Sequence, residues 1–134
     1  RVSDARSSVK PVVLVVDDNA ESLEMVVAIL QARGFEVETA SDGPTTLERI
    51  AARRPDVVVL DVVLPGMSGR DVLDRIRANP EHADIPVILV TGRTSDDDML
   101  EGYKFGADYY IRKPFTPRQL LHGIGLVLGR RFPA

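Results

Sequence analysis

Two short β-branched runs place the strongest limit on how this chain can fold. Val12–Val16 (VVLVV) and Val57–Leu60 (VVVL) are apolar at every position. A strand with one wet face alternates polar and apolar residues, whereas a strand that is apolar throughout is covered on both faces. The rest of the chain alternates short strands with helical stretches. Ala20–Arg33 has a helical stripe at Leu23, Val26, Val27 and Leu30, and Gly34 stops it. Glu36–Ala40 is a weaker strand, and Gly43–Arg53 is a second helix closed by Pro55. Ser68 opens a third helix, through Ala78, with Val72, Leu73 and Ile76 inward. Val87–Val90 is a fourth strand, and Ser95 caps a fourth helix that runs to Phe105 and is closed by Gly106. Tyr109–Arg112 is a fifth strand, and Thr116 caps a last helix with Pro117 in its first turn. Five β-then-α units predict an α/β fold: a doubly wound, five-stranded parallel sheet with helices on both faces. The two apolar runs are its central strands.

The 134 residues suffice for one domain. Residues 11–130 are read as that domain, 1–10 as a flexible lead and 131–134 as a tail. The first residue is Arg1 and not Met, so the chain reads as a piece of something longer. Zero cysteines exclude disulfide frameworks, zinc–thiolate sites and thiol chemistry, and fit a reducing compartment. The longest aliphatic run, Val12–Val16, is far short of the roughly 20 residues a membrane span needs. No signal peptide is apparent. The net charge of −3 argues against nucleic acid as the direct partner. The charge is uneven, because residues 108–134 hold five Lys/Arg against the single acid Asp108.

In open parallel sheets, ligands bind beyond the carboxyl ends of the strands. Here the first strand runs into Asp17 and Asp18, the third ends in Asp61, the fourth in Thr91 followed by Gly92, and the fifth is followed by Lys113 and Pro114. A parallel sheet gathers all of them on one edge. Three crowded carboxylates repel, so a cation must sit among them or one must take up a proton. Carboxylate oxygens favour a hard divalent ion, and Mg²⁺ is held by one or two carboxylates together with phosphate and water. A lysine and a hydroxyl beside such a site suit a phosphoryl group. Each residue taken alone has a plainer reading: Asp17 and Asp18 as helix caps, Asp61 and Thr91 as strand ends, Lys113 as a surface lysine. Their joint occurrence at the ends of alternating strands is what points to phosphoryl chemistry.

These motifs resemble the receiver domain of two-component response regulators. The likeness spans about residues 11–130 and is carried by VVLVVDD (12–18), VVVLDVVLPGMSG (57–69), VILVTGR (87–93) and GADYYIRKPF (106–115). It implies a flavodoxin-like (βα)5 fold with strand order 2-1-3-4-5. It implies Asp61 as phosphoacceptor, taking a phosphoryl group from a histidine kinase or a histidine phosphotransfer protein. Mg²⁺ would be bound by Asp18, by Asp17 largely through water, by Asp61 and by the backbone carbonyl of Val63. Lys113 and Thr91 would contact phosphoryl oxygens, Gly92 would leave room for the group, and the Lys113–Pro114 bond would be cis. Thr91 and Tyr110 would form the switch that repacks the face made by the fourth helix, fifth strand and fifth helix. The same resemblance implies a bacterial, cytoplasmic signalling switch that catalyses only its own phosphorylation and dephosphorylation. An output domain outside this chain and a homodimer through the switch face are its further expected partners. Val63 and Arg93 offer no carboxylate or amide to orient a hydrolytic water, so the phosphoryl state is expected to be persistent.

Three other readings compete. A degenerate receiver would act as a phosphorylation-independent binding module, but it should have lost an acidic residue or the lysine. A phosphatase or transferase of the aspartyl-phosphate kind would want a second Asp where Val63 stands. A flavin- or nucleotide-binding protein would want a glycine- or hydroxyl-rich loop after the first strand, where Asp17-Asp18-Asn19 would repel phosphate. Other features are plainer. Asp96, Asp97 and Asp98 suit a helix start, His82 and His122 belong to no ligand cluster, and Tyr103 and Tyr109 read as packing residues. The last helix is almost all apolar: Leu120, Ile124 and Val127 form one face, and Leu121 and Leu128 extend it. That suits either a dimer or interdomain face or a broader core contact, with Gly123, Gly125 and Gly129 lowering helix propensity yet permitting close approach. Met25 and Ile29 on the first helix raise the same alternatives.

Overall fold

The computed structural model describes residues 10–92 and 106–129. Five strands and four helices follow in the order β1 (Val12–Val16), α1 (Ala20–Ala32), β2 (Glu36–Ala40), α2 (Gly43–Ala52), β3 (Val57–Asp61), α3 (Gly69–Ala78), β4 (Val87–Thr91), β5 (Tyr109–Arg112) and α4 (Pro117–Gly129). The helix expected over 95–105, with Arg93, Asp96, Asp97, Asp98 and Tyr103, lies outside the described residues. So do residues 1–9 of the expected lead and the expected tail. The last helix of the sequence reading, fifth there, is α4.

The strands form one parallel sheet in the order β2-β1-β3-β4-β5. The expected α/β architecture and strand order are thus both present. β1, β3 and β4 are buried along their whole length. β2, whose sequence is the least apolar, lies at one edge and is only partly covered. Because side chains alternate along a strand, the sheet divides the core in two. Leu14, Val16, Val58, Leu60 and Leu89 pack with α2 and α3 on one side. Val13, Val15, Val57, Val59, Ile88 and Val90 pack with α1 and α4 on the other. Each fully buried aliphatic side chain contributes about 1.5–3 kcal/mol, so the strands that hold the site are also the firmest part of the fold.

The last helix resolves toward the core. Leu120, Ile124, Val127 and Leu128 are buried, Leu121 packs against them, and only Leu126 is substantially exposed among its large apolar residues. A Cβ on Gly123 would lie 2.9 Å from the Tyr109 ring, so this glycine lets α4 settle onto β5. Ile29 also packs on the core, while Met25 stays exposed.

Helix starts follow their sequence signals. Asn19 caps α1 through the Ser22 amide at 2.9 Å, and Asp42 caps α2 through the Thr45 amide at 2.7 Å. Ser68 and Asp71 close a reciprocal capping box on α3, and Thr116 and Gln119 do so on α4. The helices α1 and α2 end one residue before the sequence reading places their ends. Arg53 leaves the helix in an extended conformation, with its side chain paired to Glu36 and Glu38 of β2. The backbone and side-chain hydrogen bonds from Thr45 hold the Asp42 carboxyl below its usual value of 3.8. A depressed carboxyl stabilises the fold above its unfolded pKa, and the gain is lost as pH falls through the folded one. Asp42→Ala is therefore expected to melt below the wild type at pH 7. The gap should narrow as pH falls below 3.8, as read by thermal denaturation across that range.

Candidate functional site

Parallel strands bring their carboxyl ends to one edge, and that edge is where the acidic residues stand. Asp61 is the last residue of β3 and Thr91 the last of β4, both buried. Asp17 follows β1 directly, its amide bonded to the Ala40 carbonyl of β2, and is buried as well. Asp18 is exposed beside it. Carboxylate oxygens of Asp17, Asp18 and Asp61 all lie within 4.8 Å of one another, a set able to hold a metal ion. Helix capping does not occupy the two N-terminal acids, because Asn19 does that work.

The lysine reaches in from the far side of the sheet. Lys113 Nζ donates to Asp61 Oδ2 at 2.8 Å and to Asp17 Oδ2 at 3.1 Å. Its backbone amide donates to the Thr91 carbonyl at 2.7 Å, which continues the β4–β5 ladder into the site. Burial pushes the Lys113 ammonium down, but hydrogen bonds to Asp61 and Asp17 and their negative charge outweigh it. The group is held above the ordinary lysine value and is fully charged at neutral pH. The Lys113–Pro114 bond is cis, as the resemblance implies.

The other oxygen of each buried acid is held by local backbone. Asp17 Oδ1 accepts from the Asn19 amide at 2.9 Å, and Asp61 Oδ1 accepts from the Val63 amide at 2.9 Å. Val63 itself is 63% exposed. Tyr110 is buried in β5, opposite Leu89 of β4 and in the core on the α2–α3 side. Among the described residues, a Cβ at Gly92 would meet nothing within 4 Å.

One residue that shapes the site escaped the sequence reading. The Gly69 amide donates to the Val62 carbonyl at 2.8 Å, and a Cβ at Gly69 would lie 2.2 Å from the Asp61 carbonyl oxygen. The start of α3 is thus pressed against the end of β3. Its signal was the second glycine of the loop, which in sequence cannot be told from an ordinary turn residue. His82 and His122 join no acidic cluster among the described residues.

The comparisons with known proteins agree with this geometry. The family model for the response regulator receiver domain matches residues 13–124. The DNA-binding response regulator MtrA of Mycolicibacterium paratuberculosis is 40% identical over 109 residues, 81% of this chain and 47% of MtrA. The sensory transduction protein RegX3 of Mycolicibacterium smegmatis is 40% identical over 118 residues, 88% of this chain and 50% of RegX3. The chain therefore spans about half the length of these curated relatives. Among solved structures, the chemotaxis protein CheY4 of Vibrio cholerae aligns with a TM-score of 0.84 at 35% identity, covering 89% of this chain and 99% of CheY4. A CheY-like receiver domain protein from Methanospirillum hungatei aligns with a TM-score of 0.85 at 31% identity, covering 92% of this chain and 97% of that one.

Gly69 and Gly92 make opposite predictions. Gly69→Ala must push α3 from β3 and is expected to cost about 1–3 kcal/mol. Gly92 is exposed and its Cβ would meet no atom of the described residues within 4 Å, so Gly92→Ala should stay within about 0.5 kcal/mol of the wild type. Urea denaturation of the two variants checks both. With five parallel strands in this order, an acidic cluster at their carboxyl ends and a family match over most of its length, the chain belongs to the response regulator receiver domains.

Proposed function

We propose that the domain is a phosphoacceptor switch of a two-component phosphorelay, with Asp61 as the residue that takes the phosphoryl group. The observation that carries this reading is the Lys113 ammonium, 2.8 Å from Asp61 Oδ2, set within three carboxylates whose oxygens lie within 4.8 Å of one another. A carboxylate oxygen of Asp61 attacks phosphorus and forms a P–O bond. The bond from phosphorus to the donor breaks, P–N for a phosphohistidine and P–O for acetyl phosphate, and its electron pair leaves with the donor. The product is an acyl phosphate on Asp61.

Asp17, Asp18, Asp61 and the backbone carbonyl of Val63 would hold Mg²⁺, which when bound neutralises charge between the carboxylates and the phosphoryl oxygens. The Val63 amide on Asp61 Oδ1 supports this assignment, since it fixes the 61–63 turn against the cluster. Lys113 would pass from Asp61 Oδ2 to a phosphoryl oxygen. Thr91, at the end of β4, would donate its hydroxyl to another. A group that adds negative charge here biases a two-state equilibrium, and Tyr110, two residues from the end of β5, would answer by repacking. The surface that changes is built on β5, α4 and the chain before β5, and it is where an output domain or a second copy would bind.

The donor would be a histidine kinase or a histidine phosphotransfer protein, and the setting the cytoplasm. No described helix is long and apolar enough to cross a membrane. MtrA is named as DNA-binding, so a DNA-binding partner domain beyond this chain fits the shared half.

Intact mass after incubation with acetyl phosphate and Mg²⁺ tests the reading. The wild type should gain one phosphoryl group, and Asp61→Asn or a chelator should abolish the gain. Once the donor is removed the adduct should persist, because the exposed Val63 side chain presents no group to orient water. A wild-type protein that gains no phosphoryl mass, or an Asp61→Asn variant that gains it equally, would overturn the assignment.

A further inference from the structure

The strand β5 is four residues long and, among the described residues, pairs with β4 alone. Such a strand has few ladder bonds to fix its register, and a one-residue slip would turn every side chain to the other face. Yet β5 carries Tyr110 inward and delivers Lys113 to the acidic cluster. The buried Tyr110 and Ile111 favour one register, and a contact outside so short a strand can lock it further.

The structure offers one device, at the end of the sheet opposite the site. Arg77, in the last turn of α3, donates through Nε to the Gly106 carbonyl at 2.9 Å. Its Nη1 donates to the carbonyls of Ala83 at 3.1 Å and Ile85 at 2.7 Å. Its Nη2 pairs with Asp108 Oδ2 at 2.9 Å. The same Asp108 oxygen accepts the Val87 amide at 2.8 Å, and the Asp108 amide donates to the Val87 carbonyl at 2.8 Å. Val87 and Asp108 thus form a doubly bonded first rung just ahead of the Ile88–Tyr109 pair, and Arg77 closes over it. Gly106 sits at φ +97, and a Cβ there would come 3.1 Å from Arg77 Nε. A glycine at this turn leaves room for the Arg77 side chain. A forked, permanently charged guanidinium can serve four acceptors at once, whereas an ammonium cannot span them.

We propose that Arg77 is a positioning residue for Lys113. By locking the Val87–Asp108 rung it fixes the β4–β5 register, and the register sets Lys113 opposite the end of β4 and onto Asp17 and Asp61. The effect of Lys113 on phosphoryl uptake rests on the reading of Asp61 as acceptor; its placement through the register does not.

The test compares wild type, Arg77→Met and Arg77→Lys well below their melting temperatures, by amide hydrogen exchange and by uptake from acetyl phosphate with Mg²⁺. In Arg77→Met the Lys113 amide, bonded to Thr91, should exchange about tenfold faster or more, while the amides of Asp17 and Val62 keep their wild-type rates. Phosphoryl uptake should slow by about tenfold or more, as expected when a reacting group is misplaced. Arg77→Lys, which keeps the charge but not the fork, should fall between, and it carries the comparison if Arg77→Met does not fold. A lower melting temperature with wild-type uptake, or exchange that quickens equally at Asp17, Val62 and Lys113, would overturn the proposal and leave Arg77 a stability residue. If the wild type takes no phosphoryl group, the reading of Asp61 fails, and the exchange rates alone decide the role of Arg77.

Discussion

The Lys113 ammonium, shared between Asp17 and Asp61, is the interaction on which the arrangement of the site depends. It joins the ends of β1, β3 and β5 across β4 and makes a cluster of acids compatible with a folded sheet. Two carboxylates within 4.8 Å of each other repel by about 3–4 kcal/mol at an effective dielectric constant near 20. The lysine offsets that repulsion only in part. Three acids and one lysine leave an excess of two negative charges, beside the exposed Asp18 and Gly92. A site so charged favours a divalent cation and, with the cation, an anion beside it. The same imbalance that costs stability is what suits the edge to phosphoryl chemistry.

Much of this was legible in the sequence, for a physical reason. A run such as VVVL followed by Asp states both that a strand is covered on two faces and that it ends in a charge. The parallel sheet then does the gathering, so residues 44 apart, as Asp17 and Asp61 are, meet without any contact having to be guessed. The ambiguity that remained at Asp17 and Asp18 was local. Capping by Asp and capping by Asn look alike in sequence, and only the bond from Ser22 to Asn19 separates them. The last helix was ambiguous in the same way. Its second apolar face could have met a partner or its own sheet, and the shallow seat that Gly123 gives the Tyr109 ring settled it on the sheet.

What the sequence did not reveal are contacts that depend on the path of the backbone. Gly69 carries no signal of its own in the sequence, yet there the start of α3 lies against the end of β3. Nothing in the sequence sets Arg77 apart, yet its guanidinium is engaged by three carbonyls and a carboxylate. Neither shows a periodicity or a spacing that would betray it. Such residues carry no chemistry themselves. They lie beside the residues proposed to do so, Gly69 next to Asp61 and Arg77 at the base of β5, the strand that Lys113 follows.

Whether the proposed acidic edge takes a divalent cation is tested by a Mg²⁺ titration followed by amide chemical shifts in two-dimensional NMR. A saturable change centred on residues 17–19, 61–63 and 113, lost in Asp18→Asn, is the expected result. Shifts that do not saturate, or that centre on other acids such as Asp71 and Asp74 of α3, would contradict it.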